Sequence, residues 1–307
     1  VQSIDAVRLN FNPASLHALN AVLGFVMFGV ALDLDVGDFR RVLDRPRPVL
    51  IGLFGHFVAG PAVAYALVRL LQPAPSVALG LMLVAACPAG NISNFLAHLA
   101  KGNTALSVSI SSCSTVLAVV LTPLNLRFWA GQYGPTAALL RDVAVDPVEM
   151  FTTIFILLGI PLALGLWVGK RYPAFRHRAR KPMKTLALVV FALFVLIAMA
   201  ANWHAFTTVL GGVVIAVGAY NAAAYASGYG TAALFGLPER DRRAVAMEVG
   251  VQNSGLGMIL AFTFFDGLGG MAITCAWWGI WQILTGLALG TWWSRRPTHA
   301  EPEAVPA

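Results

Sequence analysis

The feature that most constrains this chain is a succession of long apolar runs joined by short connections. A membrane-crossing helix needs about 20 mostly apolar residues. Nine segments qualify, at roughly 17–33, 46–71, 76–100, 103–130, 148–170, 182–202, 205–235, 239–265 and 268–294. In hydrocarbon every backbone N–H and C=O must find a partner within the protein, which leaves helices as the form for runs of this length. The expected fold is therefore an all-α polytopic membrane protein with nine transmembrane helices in one domain over 1–294. Residues 295–307, ending in "PTHAEPEAVPA", are polar and rich in Pro and Ala, and are expected to be a disordered tail. Composition agrees: 58% of residues are hydrophobic and 11% charged, against about 25% charged in a soluble domain.

The net charge of +7 does not point to nucleic acid, because the basic residues are spread through the connections without stacking aromatics or zinc spacing. Their distribution reports orientation instead. Of the 21 Lys and Arg, 17 lie after the first, third, fifth and seventh spans and at the C-terminus. The other side holds only Arg8, Arg69, Arg127 and Arg141. This places the C-terminus in the cytoplasm and the N-terminus outside, in the plasma (inner) membrane of the cell. Cys87, Cys113 and Cys275 all fall in apolar segments, form no CxxC, and read as small core residues. No cleavable signal with a basic leading region is expected, since the spans themselves direct insertion. Pro61, Pro123 and Pro161 are candidate kinks.

Two spans are interrupted near their middles. The third contains "CPAGNISN" at 87–94, and the eighth contains "AMEVGVQNSG" at 246–255. Proline removes a backbone bond and glycine tolerates an open geometry, so both stretches should break their helices. Such a break is tolerated at membrane depth only inside protein or around a wet cavity. The two spans are five apart and run in opposite directions. That is the arithmetic of an inverted five-helix repeat, with a first repeat over about 17–130 lacking its opening helix and a second over about 148–294. Broken helices in matching positions of inverted halves point to a transporter's binding site.

Glu248 indicates what such a site binds. A carboxylate at the bilayer centre costs on the order of 2.5–3.5 kcal/mol unless a partner offsets it. The nearest basic residues, Arg242 and Arg243, belong to the preceding loop, and the neighbours along the chain are Asn, Gln and Ser. One carboxylate among neutral oxygens suits a small hard cation. Ser107, Ser111 and Ser114 recur on one face of the fourth span. The ordinary role of membrane serines is packing or bonding back to their own helix, which is preferred for Ser112 and Ser114. For Glu248 the ordinary role is a protonated acid bonded in the core. The aromatic runs "WWGIW" and "FTFF" read as core or interface belts, and the GxxxG pairs Gly165–Gly169 and Gly286–Gly290 as close packing.

Several segments carry a family resemblance: "EVGVQNSGLG", "CPAGNISNFLAHLAKGNTALSVSISSCSTVLAVVLTP" and "FVMFGVALDLDVGDFRRVLDRP". Over about residues 20–294 the chain resembles the bile acid:sodium symporter family, in particular bacterial homologues of the apical bile acid transporters. The resemblance implies a ten-helix fold of two inverted repeats, core and panel domains, and two broken helices that cross. Some members lack the first helix. It also implies sodium-driven symport of bile acids, steroid sulfates or small carboxylates such as pantoate. Carried over by position, a first sodium site uses Ser93, Asn94, Ser107, Ser111 and Glu248. A second uses Glu248, the carbonyls of Val249 and Val251, and Gln252. His56 stands where the family has a glutamine completing that second site, and a histidine offers sodium a poorly suited nitrogen, or a proton. Substrate would meet Asn91, where several relatives have threonine, together with Asn253 and Gln282.

The expected function is a secondary active symporter for an organic anion working by alternating access, with sodium and no organic cofactor. Its expected partners are the substrate and the lipid bilayer, with no nucleic acid, and a monomer is favoured. Free N–H groups at the broken helices would face the anion. A proton-coupled or single-sodium transporter using His56 keeps the same fold. An intramembrane enzyme built on Glu248 lacks any HExxH, GxSxG or paired carboxylate, and a ligand sensor without transport is the remaining rival.

Overall fold

A computed structural model describes residues 4–6, 43–90, 92–143, 146–179 and 203–298, with scattered positions in 21–32 and 182–193. Asn91, most of the expected first and sixth spans, and the tail beyond 298 lie outside the described residues. The described chain is almost entirely helical. In order, α1 is Pro46–Leu71, α2 Pro75–Ala86, α3 Ser93–Leu99, α4 Thr104–Gly131, α5 Gly134–Val143, α6 Val148–Arg171, α7 Trp203–Leu234, α8 Glu239–Gly250, α9 Ser254–Phe265 and α10 Gly269–Ser294. Four of these, α1, α4, α6 and α10, are long and apolar enough to cross a membrane as single pieces.

The third and eighth apolar runs are each split, into α2 and α3 and into α8 and α9. The halves are unequal in character. Helix α2 buries nearly all its residues and α9 nearly as many, so both are apolar around their full circumference, as a helix enclosed by others must be. Helices α3 and α8 carry the polar residues. The enclosed half comes first in one broken helix and second in the other. Helices α2 and α9 touch each other, and both pack on α10, while α7 lies along α8.

Prolines shape two of the long helices. A proline inside a helix has no N–H and crowds the carbonyl four residues back. Before Pro61 and Pro161 the chain widens into π-helical turns, Gly55–Ala59 and Phe155–Gly159, where Gly60 N donates to Gly55 O and Ile160 N to Phe155 O. The widened register accommodates the ring without breaking the helix. Pro123 lies within α4, which continues past it. Helix α5 was not among the expected elements; it is a ten-residue helix led by Gly134 and Pro135.

Helix α6 is exposed along Phe151, Phe155, Ile156, Ile160, Leu164 and Trp167. Exposed apolar area on this scale fits contact with lipid rather than water. Two described residues of the expected first span lie close to α6: Ala31 is near Gly165, and Gly24 near Pro161.

Candidate functional site

The two breaks cross at the level of their backbones. Ala89 and Gln252 form an isolated antiparallel bridge, with Gly90 N donating to Val251 O at 2.9 Å and Asn253 N to Pro88 O at 2.8 Å. The approach is close enough that a Cβ on Gly90 would stand 2.8 Å from Gln252 O. Only glycine fits there.

Side chains take up several of the other groups that helix breakage leaves free. Thr122 donates to Ala86 O at 2.8 Å, and Ala89 N donates to Ser114 Oγ at 3.3 Å. At the second break Asn221 donates to Gly250 O at 2.9 Å and is itself held by Thr285, whose hydroxyl donates to Asn221 Oδ1 at 2.7 Å. Gln252 N donates to Gln282 Oε1 at 2.8 Å, and Trp278 Nε1 donates to the same oxygen at 2.7 Å. Gln252 Nε2 donates to Val249 O at 2.9 Å.

Beside the crossing, five oxygen-bearing side chains converge. Ser93 Oγ donates to Glu248 Oε1 at 2.7 Å, and Ser107 Oγ contacts the same carboxylate oxygen. Ser107 Oγ also lies 2.8 Å from Asn94 Oδ1, and Ser111 Oγ lies 3.2 Å from it. Ser93 and Asn94 open α3, Ser107 and Ser111 are one turn apart on α4, and Glu248 lies in the last turn of α8. Glu248, Ser93 and Ser107 are fully buried, and Glu248 Oε2 is buried with no hydrogen-bond partner among the described residues. No described Lys or Arg pairs with Glu248.

The single hydroxyl proton of Ser107 faces two acceptors, Glu248 Oε1 and Asn94 Oδ1, and that of Ser111 faces Asn94 Oδ1 and Val108 O. The cluster has more oxygen lone pairs than protons to share, and it encloses a carboxylate with no counter-charge among the described residues. A cation held by oxygens would correct both deficits. Among the described residues no group of three His, Cys, Asp or Glu could hold a metal, and the side-chain donors that converge here are all oxygens.

His56 sits in the π-helical turn of α1 and is fully buried. Nδ1 is 3.0 Å from Glu248 O and Nε2 is 3.0 Å from Cys87 O, so one ring joins both broken helices. A neutral imidazole has one N–H and satisfies one of the two carbonyls by donation. Of the other residues expected at a second ion site, Gln252 Oε1 is buried without a partner, while Val251 O already accepts from Gly90. Of the residues expected to meet substrate, Asn253 is half-buried. Its Oδ1 caps α9 by accepting from Leu256 N at 3.1 Å, while its Nδ2 has, among the described residues, only Met27 Sδ, at 3.9 Å. Gln282 faces inward onto the second break rather than into open space. Asn91 is outside the described residues.

The sequence does not single out Asn221, Thr285 or Thr122, and its expectation for Ser114 is a bond back to its own helix. Ser112 does bond back to its own helix, at Val108 O. Ser114 bonds back too, to Ser111 O, but its oxygen also accepts from the first break.

A helical membrane protein whose two broken helices cross beside a buried, unpaired carboxylate has the architecture of a secondary transporter. The chain belongs to the sodium bile acid symporter family: residues 20–208 match the profile described as "Sodium Bile acid symporter family". It is 34% identical over 277 residues to the uncharacterized sodium-dependent transporter YocS of Bacillus subtilis (strain 168), covering 89% of this chain and 82% of that protein. It is 30% identical over 274 residues to the probable chloroplastic sodium/metabolite cotransporter BASS2 of Oryza sativa subsp. japonica, covering 89% of this chain and 63% of that one. To the human ileal sodium/bile acid cotransporter it is 27% identical over 240 residues, covering 78% of this chain and 67% of the relative. The family and these relatives are transporters, not enzymes, and sodium-coupled transport across a membrane is the activity they share.

Proposed function

We propose that this protein is a symporter that uses a sodium gradient to move an organic anion by alternating access. The observation that carries the reading is the proton-poor oxygen cluster of Ser93, Asn94, Ser107, Ser111 and Glu248. Sodium enclosed by these oxygens would neutralise Glu248 and hold α3, α4 and α8 together beside the crossing. Asn253, ordered by the same backbone, would offer its spare Nδ2 to the carboxylate or sulfonate of the substrate. The cargo is an amphipathic or small organic anion, bile-acid-like, a steroid sulfate or a small carboxylate such as pantoate. The names of the relatives, metabolite and bile acid cotransporters, support that class.

In this reading nine helices span the plasma membrane with the C-terminus inside. Helices α1–α4 and α7–α10 form a core that rocks against a panel of α6 and the spans at 17–33 and 182–202. Each net positive charge carried inward gains about 2.3 kcal/mol per 100 mV, so two sodium ions per monoanion would make transport electrogenic. The test is uptake into proteoliposomes containing the purified chain, with bile acids, steroid sulfates and pantoate each offered under an inward sodium gradient and under potassium alone. Accumulation that needs the sodium gradient is expected. Accumulation that is equal in potassium would overturn the reading.

A second reading concerns stoichiometry and rests on His56. The imidazole turns one nitrogen to each of two backbone carbonyls, of which a neutral ring can donate to one, at the place where the family's glutamine serves a second sodium. With that position filled, one sodium would move per cycle. Uptake would then depend on sodium with a Hill coefficient near one, and His56→Gln would raise it toward two. A wild-type coefficient of two would reject the single-ion reading.

A further inference from the structure

Away from the crossing, the C-terminal end of α3, the N-terminal end of α8 and the last turn of α10 meet at one end of the bundle. Arg243 is buried there (2% exposed) and binds all three elements: Nη1 donates to Ala100 O and Trp293 O at 3.0 Å each, and Nε donates to Glu239 Oε1 at 2.8 Å. The other oxygen of Glu239 accepts from Tyr229 OH at 2.6 Å. Next to this knot lies a cavity of about 750 Å³ lined by Tyr229, Glu239, Arg243, Trp292, Trp293 and Arg296. Glu239 is fully engaged by Arg243 and Tyr229. The guanidinium of Arg296 lies 3.8 Å from the centre of the Trp292 ring and has no carboxylate partner among the described residues. Among the lining residues, two guanidiniums against one carboxylate leave one positive charge unmatched in an open pocket lined by Tyr229, Trp292 and Trp293.

We infer that this cavity is a binding site for the headgroup of an anionic phospholipid. The surrounding surface decides between a lipid and a dissolved anion. The cavity is walled by α7, α8 and α10, which carry its lining residues, and not by the crossing. Trp292 at its lip is exposed, and further back along α10 Leu284 and Leu287 are exposed too, which gives acyl chains an apolar helix to lie on. Tryptophan and tyrosine beside arginine are the side chains that settle at a membrane's interface. The same end carries Lys101, Arg240 and Arg295, so the local field favours an anionic headgroup over a zwitterionic one. The phosphodiester would pair with Arg296, the glycerol would stack on Trp292 and Trp293, and Arg243 would remain committed to the helix ends.

The test is native mass spectrometry of the purified full chain with equimolar phosphatidylglycerol and phosphatidylcholine. The wild type is expected to retain phosphatidylglycerol preferentially, and Arg296→Gln to lower that preference about fivefold, the effect of one basic side chain near an anionic membrane. Trp292→Ala is expected to weaken retention of both lipids. Arg296 is exposed, so its replacement leaves the fold intact, which a thermal melt of the variant checks. Equal retention of the two lipids by the wild type, or an unchanged preference in Arg296→Gln, would overturn the proposal. So would binding of soluble glycerol phosphate that depends on Arg296 while phosphatidylglycerol shows no preference, which would assign the cavity to a dissolved anion.

Discussion

At the scale of single residues, Glu248 and Asn221 show two kinds of buried polar group with opposite consequences. Glu248 holds an unpaired oxygen in a low-dielectric interior and weakens the ion-free fold by its own desolvation. Glu248→Ala is therefore expected to abolish sodium-driven uptake while the melting temperature in sodium-free buffer holds or rises. Sodium-driven accumulation by this variant would show the carboxylate to be structural. Asn221 is the reverse case, because it satisfies Gly250 O. Removing it leaves that carbonyl buried and unbonded, at a cost of about 1–3 kcal/mol. Asn221→Ala should lower the melting temperature with or without sodium. The difference also explains what could be read in advance. A carboxylate in an apolar run is conspicuous in a sequence, whereas a lone Asn, Thr or Ser within a long helix looks the same whether it packs idly or caps a distant break. The partners of Asn221, Thr122 and Ser114 are backbone groups 29, 36 and 25 positions away, and backbone leaves no mark in a sequence.

At the scale of elements, the breaks were legible because Pro, Gly and Asn at mid-span conflict with a continuous helix. Their pairing was not, since nothing in "CPAGNISN" names the segment it will touch. The crossing makes Gly90 a sharper test than either proline. A methyl group there would press on Gln252 O while the bond from Gly90 N to Val251 O holds the strands together. Gly90→Ala should destabilise the protein by about 1–3 kcal/mol, as overpacked sites do, and should impair uptake with every cargo. A variant with wild-type melting and uptake would mean that the bridge yields easily. The π-helical turns before Pro61 and Pro161 belong to the same scale. The sequence marked the prolines as kinks, and the structure absorbs them by widening a turn, which in α1 sets His56 between the two broken helices.

At the scale of the molecule, the cluster around Glu248 draws on three helices, so ion binding should stabilise the whole core. A ligand that binds only the folded state adds about 2.7 kcal/mol at a hundredfold excess over its dissociation constant. Melting temperature should therefore climb with sodium concentration, stay flat with potassium at equal ionic strength, and lose its sodium response in Glu248→Ala. A potassium response matching that of sodium would show the cluster to be unselective. The apolar runs gave the positions of α1, α4, α6, α7 and α10 to within a few residues, because twenty apolar residues in succession have few other fates. Helix α5 escaped notice because ten residues of mixed character between two long spans resemble an ordinary connection.

The antiparallel bridge at Ala89 and Gln252 is made of main chain alone. A main-chain crossing can keep its geometry while the side chains around it are exchanged, as long as glycine stays at the point of closest approach. In the proposed mechanism, cargo preference would then be rewritten at positions such as Asn253 without rebuilding the machine that moves the cargo.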